Sequence, residues 1–161
     1  MYEKFGEFDS VEELNEAAAG LKAEGDMESL KELAKENGID EYDVEDYING
    51  DTGALATPIT AAAGKLEKEL ESMKQDQVKA MCVFYANFAK TIITENEQVA
   101  IGIVKKGVRI RGIYDAIYKY AQKHKSGSCF SGATTDRQDK ELVTTYYTGE
   151  DLETLFDKWF S

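Results

Sequence analysis

Asp40, Glu41, Asp43, Glu45 and Asp46 place five carboxylates within seven residues, the densest run of charge in the chain. Carboxylates at such spacing can bind a hard cation, perform acid–base chemistry, or present a negative surface to a basic partner. A calcium loop needs oxygen ligands at alternate positions and a central glycine. Counting from Asp40, the sixth residue is Glu45 and a ligand position falls on Tyr42, so that motif is excluded. A phosphate-binding Gly-rich loop is excluded as well. Gly64-Lys65 is followed by Leu66, and Ile59 stands where the first glycine is required.

Other chemistry-bearing residues are sparse. His124 is the single histidine and sits among lysines, a poor setting for a general base or a metal ligand. It has no serine or cysteine partner of hydrolase type. No carboxylate is embedded in an apolar run that would raise its pKa for acid catalysis. Asp115 comes nearest, and an ion pair one turn away with Arg111 or Lys119 accounts for it. Cys82 and Cys129 form no CxxC, which points to reduced thiols in a cytosolic setting, with Cys82 in an apolar run typical of a buried thiol. These readings predict no enzyme, no metal and no cofactor. The remaining chemistry is recognition by charge.

That charge is unevenly distributed. The net is −12 over 161 residues. Residues 1–51 hold 17 acids and 4 bases, whereas the other 110 residues hold 14 acids and 15 bases. Within the second part, Lys105, Lys106, Arg109, Arg111, Lys119 and Lys123, with Lys125, stand against the single acid Asp115. An acidic front favours fast, salt-sensitive encounter with a basic surface. The same composition also serves solubility. The basic strip carries tyrosines and could touch phosphate or stack bases. Given the overall charge, pairing within the molecule, with a partner or with a second copy is favoured over nucleic acid.

The elements that must position these groups are helical throughout. Val11 to Ala23 repeats apolar residues at helical intervals behind Ser10 and Glu13, and Gly25 ends it. Asp26 caps a helix to Asn37-Gly38, with Met27, Leu30, Leu33 and Ala34 as its stripe. Asp40 caps a shorter helix to Asn49, where Tyr42, Val44, Tyr47 and Ile48 are core candidates, and Gly50-Asp51 follows. Thr57-Pro58 opens a long helix to Met73, in which Ala61, Ala62 and Gly64 offer close approach to a neighbouring helix. Gln77 to Thr94, capped by Asp76, is apolar nearly all round and reads as the central helix. Asn96 caps a helix ended by Gly107. Val108 to Lys125 reads as one basic helix with Ile110, Ile113, Tyr114, Ile117, Tyr118 and Ala121 inward. Residues 126–134 form a Gly/Ser loop. Helices at Asp136–Tyr147 and Glu150–Phe160 close the chain, the last with Trp159 and Phe160 sealing the core. Tyr2, Phe5 and Phe8 belong to an N-terminal end that docks its aromatics. The expectation is an all-α, compact multi-helix domain of about eight or nine helices. It divides into an acidic N-terminal helical module, residues 1–56, and a helical core, residues 57–161. No signal peptide or membrane span is expected.

The second half also carries a family resemblance. An aromatic-rich helix leads into TENEQVAIGIVKKG. A helix ending KYAQKHKSGSC follows, then the segment Asp136 to Tyr147 with its Tyr146-Tyr147 pair. Over roughly residues 78–147 this order resembles the PcfK-like proteins of conjugative elements and phages, which include type II-A anti-CRISPR inhibitors of the RNA-guided Cas nuclease. The front stretch, LKAEGDMESLKELAKENGIDEYDVEDYINGD through LATP and GKL, looks like a module of small accessory proteins from Firmicute mobile elements. The resemblance implies a non-enzymatic, protein-binding inhibitor acting in the bacterial cytoplasm. Its expected interface is the acidic surface Asp26, Asp40, Glu41, Asp43, Glu45, Asp46 and Asp51, set into a basic nucleic-acid channel of the nuclease. The alternatives are a trap that leaves DNA binding intact, working through the basic strip, and a structural accessory protein of conjugation.

Overall fold

The computed structural model describes residues 1–124 and 134–160, and the described residues are all-helical. Lys125, Cys129 and nearly all of the Gly/Ser loop lie outside them. Among the described residues nine helices follow one another: α1 (Val11–Glu24), α2 (Met27–Glu36), α3 (Glu41–Asn49), α4 (Pro58–Ser72), α5 (Gln77–Ile92), α6 (Glu97–Val104), α7 (Arg111–His124), α8 (Asp136–Thr148) and α9 (Leu152–Phe160).

Local chemistry explains most boundaries. The side chains of Ser10, Asp26, Asp40, Thr57, Asp76, Asn96 and Thr135 each accept a first-turn N–H. Each satisfies a donor that the helix itself leaves unpaired. Thr57 with Thr60, and Thr135 with Gln138, form reciprocal capping boxes. At α1 the box is displaced by one residue, since the Glu13 carboxylate accepts the N–H of Asp9 and not that of Ser10. Gly25, Gly50 and Gly149 end α1, α3 and α8 in the left-handed conformation.

One continuous apolar cluster runs from Val11 to Phe156. The segment between α3 and α4 is tied into it. Leu55 and Ala56 are buried, and the Asn15 amide brackets Ala56 by donating to its carbonyl at 2.8 Å and accepting its N–H at 2.9 Å. Gly64 on α4 meets the turn after α2, not a neighbouring helix. A Cβ on Gly64 would overlap the Gly38 backbone, and one on Gly38 would overlap that of Gly64. Only two glycines permit this contact.

The centre differs from the sequence expectation. The short α6 is the buried helix, with Val99, Ala100, Gly102, Ile103 and Val104 enclosed chiefly by α4 and α8. By contrast α5 is amphipathic. Cys82, Tyr85, Ala86, Ala89 and Ile92 face inward, while Val83 and Phe84 are exposed. Apolar content alone cannot distinguish a central helix from an amphipathic one with an aromatic outer face. The expected basic helix is also shorter. Lys105 to Ile110 form a turn with Gly107 at φ 79°, and α7 begins only at Arg111. Tyr118 is exposed where an inward position was expected, and Tyr120 is buried in its place, packed on Phe156. No described helix is long and apolar enough to cross a membrane.

Candidate functional site

The acidic face is built by α2 and α3, which pack on each other and meet α4 at the Gly38 turn. Asp26 and Asp40 spend their carboxylates on helix caps, at 3.0 Å to the Ser29 N–H and 2.9 Å to the Tyr42 N–H. The Ser29 N–H and hydroxyl hold the Asp26 carboxyl below its ordinary range. Glu41, Glu45, Asp46 and Asp51 are exposed and Asp43 is half-buried, and none forms an ion pair among the described residues. Like charges so close repel one another unless something neutralises them.

Tyr42 corrects the sequence reading. It was expected in the core, yet it is 80% exposed in the middle of this carboxylate face. A helix of nine residues presents only a narrow buried stripe, and Val44 and Tyr47 fill it. Tyr42 therefore projects outward one position before Asp43. An exposed aromatic ring is the kind of residue that anchors protein interfaces.

Beside this face lies a groove of about 670 Å³ between α2, α3 and α4. Ala34, Ile39 and Val44 form its apolar floor. Its rim carries Glu28, Glu32, Glu41, Glu45, Glu67 and Glu71 against Lys31, Lys35 and Lys68. Lys68 is engaged with Glu71 at 2.9 Å, Glu67 with Lys90 at 3.0 Å, and Glu32 with Lys4. Glu28, Glu41 and Glu45 keep their charge unpaired among the described residues, so the rim stays negative.

The basic strip is divided by the fold. Arg109 lies in the α6–α7 turn and grips Glu7 of the N-terminal arm with both guanidinium nitrogens, Nη2 at 2.9 Å. Arg111 pairs with Asp115 at 3.5 Å, and Lys123 pairs with Glu153 of α9. Lys105, Lys106 and Lys119 are exposed. The structure thus brings Asp40, Glu41 and Glu45 together at one groove, leaves Asp26, Asp43, Asp46 and Asp51 away from it, and scatters the basic candidates.

Sequence reasoning missed a buried ionic centre behind that strip. Lys65 has 6% side-chain exposure and pairs with Glu7 at 3.1 Å. Its ammonium also donates to the carbonyls of Lys105 (2.7 Å) and Val104 (3.3 Å). Glu69, one turn along α4, accepts the Ile110 N–H at 2.7 Å. Burial raises the Glu69 carboxyl despite that bond and the nearby Lys65 and Arg109. A carboxylate with a raised pKa was excluded on sequence, and Glu69 overturns this: KLEKELES looks like a solvated face until α6 covers it. Burial would also raise Glu7, but Arg109, the Gly107 N–H and Lys65 outweigh it and hold the carboxyl at about 2. Burial pushes Lys65 down more than its two carboxylates raise it. Both values fall, which favours the charged form of Glu7 and disfavours that of Lys65. The gain in the pair sits on Glu7, with its three donors, and the cost sits on Lys65.

Comparison of the chain with protein-family models, with curated proteins and with solved structures gave no match.

Proposed function

We propose that this chain is a binding protein that offers the α2–α3 face to a basic, nucleic-acid-binding surface of another protein. On its resemblance to PcfK-like proteins, that partner is a type II RNA-guided Cas nuclease and the chain is an anti-CRISPR inhibitor. The observation that carries the reading is Tyr42, exposed on α3 among Glu41, Asp43, Glu45 and Asp46, which form no ion pair among the described residues. A channel that holds guide and target backbones is lined with Lys and Arg. Carboxylates spaced along a rigid helix can replace phosphates there, and Tyr42 supplies an anchor that charge alone does not.

The test is target-DNA cleavage by guide-loaded nuclease with and without excess protein, beside a gel shift of the same complex. Loss of cleavage and of DNA binding together supports occupancy of the channel. Reversal of Glu41, Asp43, Glu45 and Asp46 to lysine should abolish both effects. Exposed Arg111 and Lys119 favour one second reading, a trap that blocks cleavage while DNA stays bound. Intact binding with lost cleavage, sensitive to Arg111 and Lys119 and not to the α3 carboxylates, would establish it. No effect on several nucleases would leave an adaptor of mobile elements with a different basic partner.

A further inference from the structure

The N-terminal arm, residues 1–9, closes over a built anion cradle. Two elements aim three donors at the Glu7 carboxylate: Lys65 from α4, and from the turn Arg109 and the Gly107 N–H at 3.1 Å. Asp9 accepts the neighbouring Lys106 N–H at 3.3 Å. Two parts of the cradle are held by groups outside the arm. The Val104 and Lys105 carbonyls fix the Lys65 ammonium, and the Tyr146 hydroxyl donates to the Arg109 carbonyl at 2.6 Å.

We propose that the α6–α7 turn is a binding site for a backbone phosphate of single-stranded nucleic acid, held shut by the arm, with Glu7 as the internal stand-in for that phosphate. Two cations and a backbone N–H converging on one oxyanion suit phosphate at least as well as carboxylate. The surroundings favour the more highly charged ligand. Lys105, Lys106 and Arg111 flank the cradle, giving five cations with Lys65 and Arg109. Docked, the arm sets Glu7 and Asp9 against them in addition to Glu69 and Asp115. Lifted, it leaves five cations facing two carboxylates. Arg109 is already 37% exposed in its side chain, so an incoming anion reaches it first. The arm has no secondary structure of its own; its remaining polar contacts are to Ser29, Glu32 and Glu36 of α2 and Glu13 of α1, and its Tyr2 ring lies under the Arg109 guanidinium. Opening it therefore unravels no helix. This site is separate from the acidic face, and each reading stands or falls alone.

Fluorescence anisotropy of a labelled twelve-nucleotide single strand at low salt tests it. Glu7→Gln, which keeps the arm's shape, should bind at least about tenfold tighter than wild type. Its log affinity should fall with log salt at a slope near −2, as roughly three neutralised phosphates require. Adding Arg109→Gln to Glu7→Gln should return binding to the wild-type level, and millimolar inorganic phosphate should compete. If only inorganic phosphate binds, and the strand does not, the nucleic-acid assignment is overturned. Equal binding by Glu7→Gln and wild type overturns the proposal, and so does a double variant that binds like Glu7→Gln. Should Glu7→Gln fail to fold, Glu7→Gln with Lys65→Met removes the unpaired buried ammonium and retains Arg109 and Gly107. Binding no tighter than wild type by that variant is equally decisive.

Discussion

Replacement of Glu7 by Gln should cost stability in a pH-dependent way. The Glu7 carboxyl moves from its usual 4.5 to about 2 on folding, because Arg109, the Gly107 N–H and Lys65 more than offset its burial. At about 1.4 kcal/mol per unit, the ionised form is worth about 3 kcal/mol to the folded state at pH 7. A carboxyl lowered on folding contributes fully above its unfolded value and loses that contribution as pH falls towards its folded value. The window is therefore 4.5 down to about 2. At pH 3 the same pair of values leaves about 1.4 kcal/mol. Glu69 faces the same centre with the opposite sign. Its raised carboxyl takes up a proton more readily when folded, so acidification adds stability there. That effect is common to both proteins and largely cancels in the comparison. Urea unfolding followed by circular dichroism should show Glu7→Gln less stable by about 3 kcal/mol at pH 7 and by about half of that at pH 3. A loss equal at both pH values, or below about 0.5 kcal/mol at pH 7, would refute an ionised Glu7 as the arm's fastening.

Gly102→Ala should destabilise by about 2 kcal/mol or more, because the added Cβ would overlap the Tyr147 carbonyl where α6 meets α8; thermal melts check this. Tyr147→Phe should be neutral or stabilising by up to about 1 kcal/mol in the same melts. The Tyr147 hydroxyl is fully buried and has no hydrogen-bond partner among the described residues. Tyr42→Ala should change stability by less than about 0.5 kcal/mol, since the ring is exposed, yet weaken partner binding about tenfold or more by calorimetry.

Helix starts and stops were legible because their causes are local. Asp26, Asp40, Thr57 and Thr135 accept N–H groups two or three residues ahead, and the sequence displays donor and acceptor together. Inward faces were legible where the stripe is narrow and regular, as in α2 with Leu30, Leu33 and Ala34. They failed where too many residues qualified. Phe84, Tyr118 and Tyr42 are as apolar or aromatic as their buried neighbours, and only the packing of other helices decided which rings stay outside.

The charged sites divide along the same line. The α3 acids from Asp40 to Asp46 could be read as a unit because they are nearly contiguous on one short helix and its cap. The ionic centre could not, because Glu7 and Arg109 are 102 residues apart and Lys65 lies between them in a helix that looks solvated. Sequence shows the sign of each charge and leaves its partner open. The basic strip makes the consequence clear. Six cations of one stretch appeared equivalent, but Arg109 is committed to the arm, Lys123 to α9 and Arg111 to its own helix. Only Lys105, Lys106 and Lys119 retain exposed charge without an ion pair among the described residues. Of the six acids from Asp40 to Asp51, Asp40 is committed to a cap, while the other five form no ion pair among the described residues. The proposed role of the front rests on this unequal commitment, which neither net charge nor charge pattern contains.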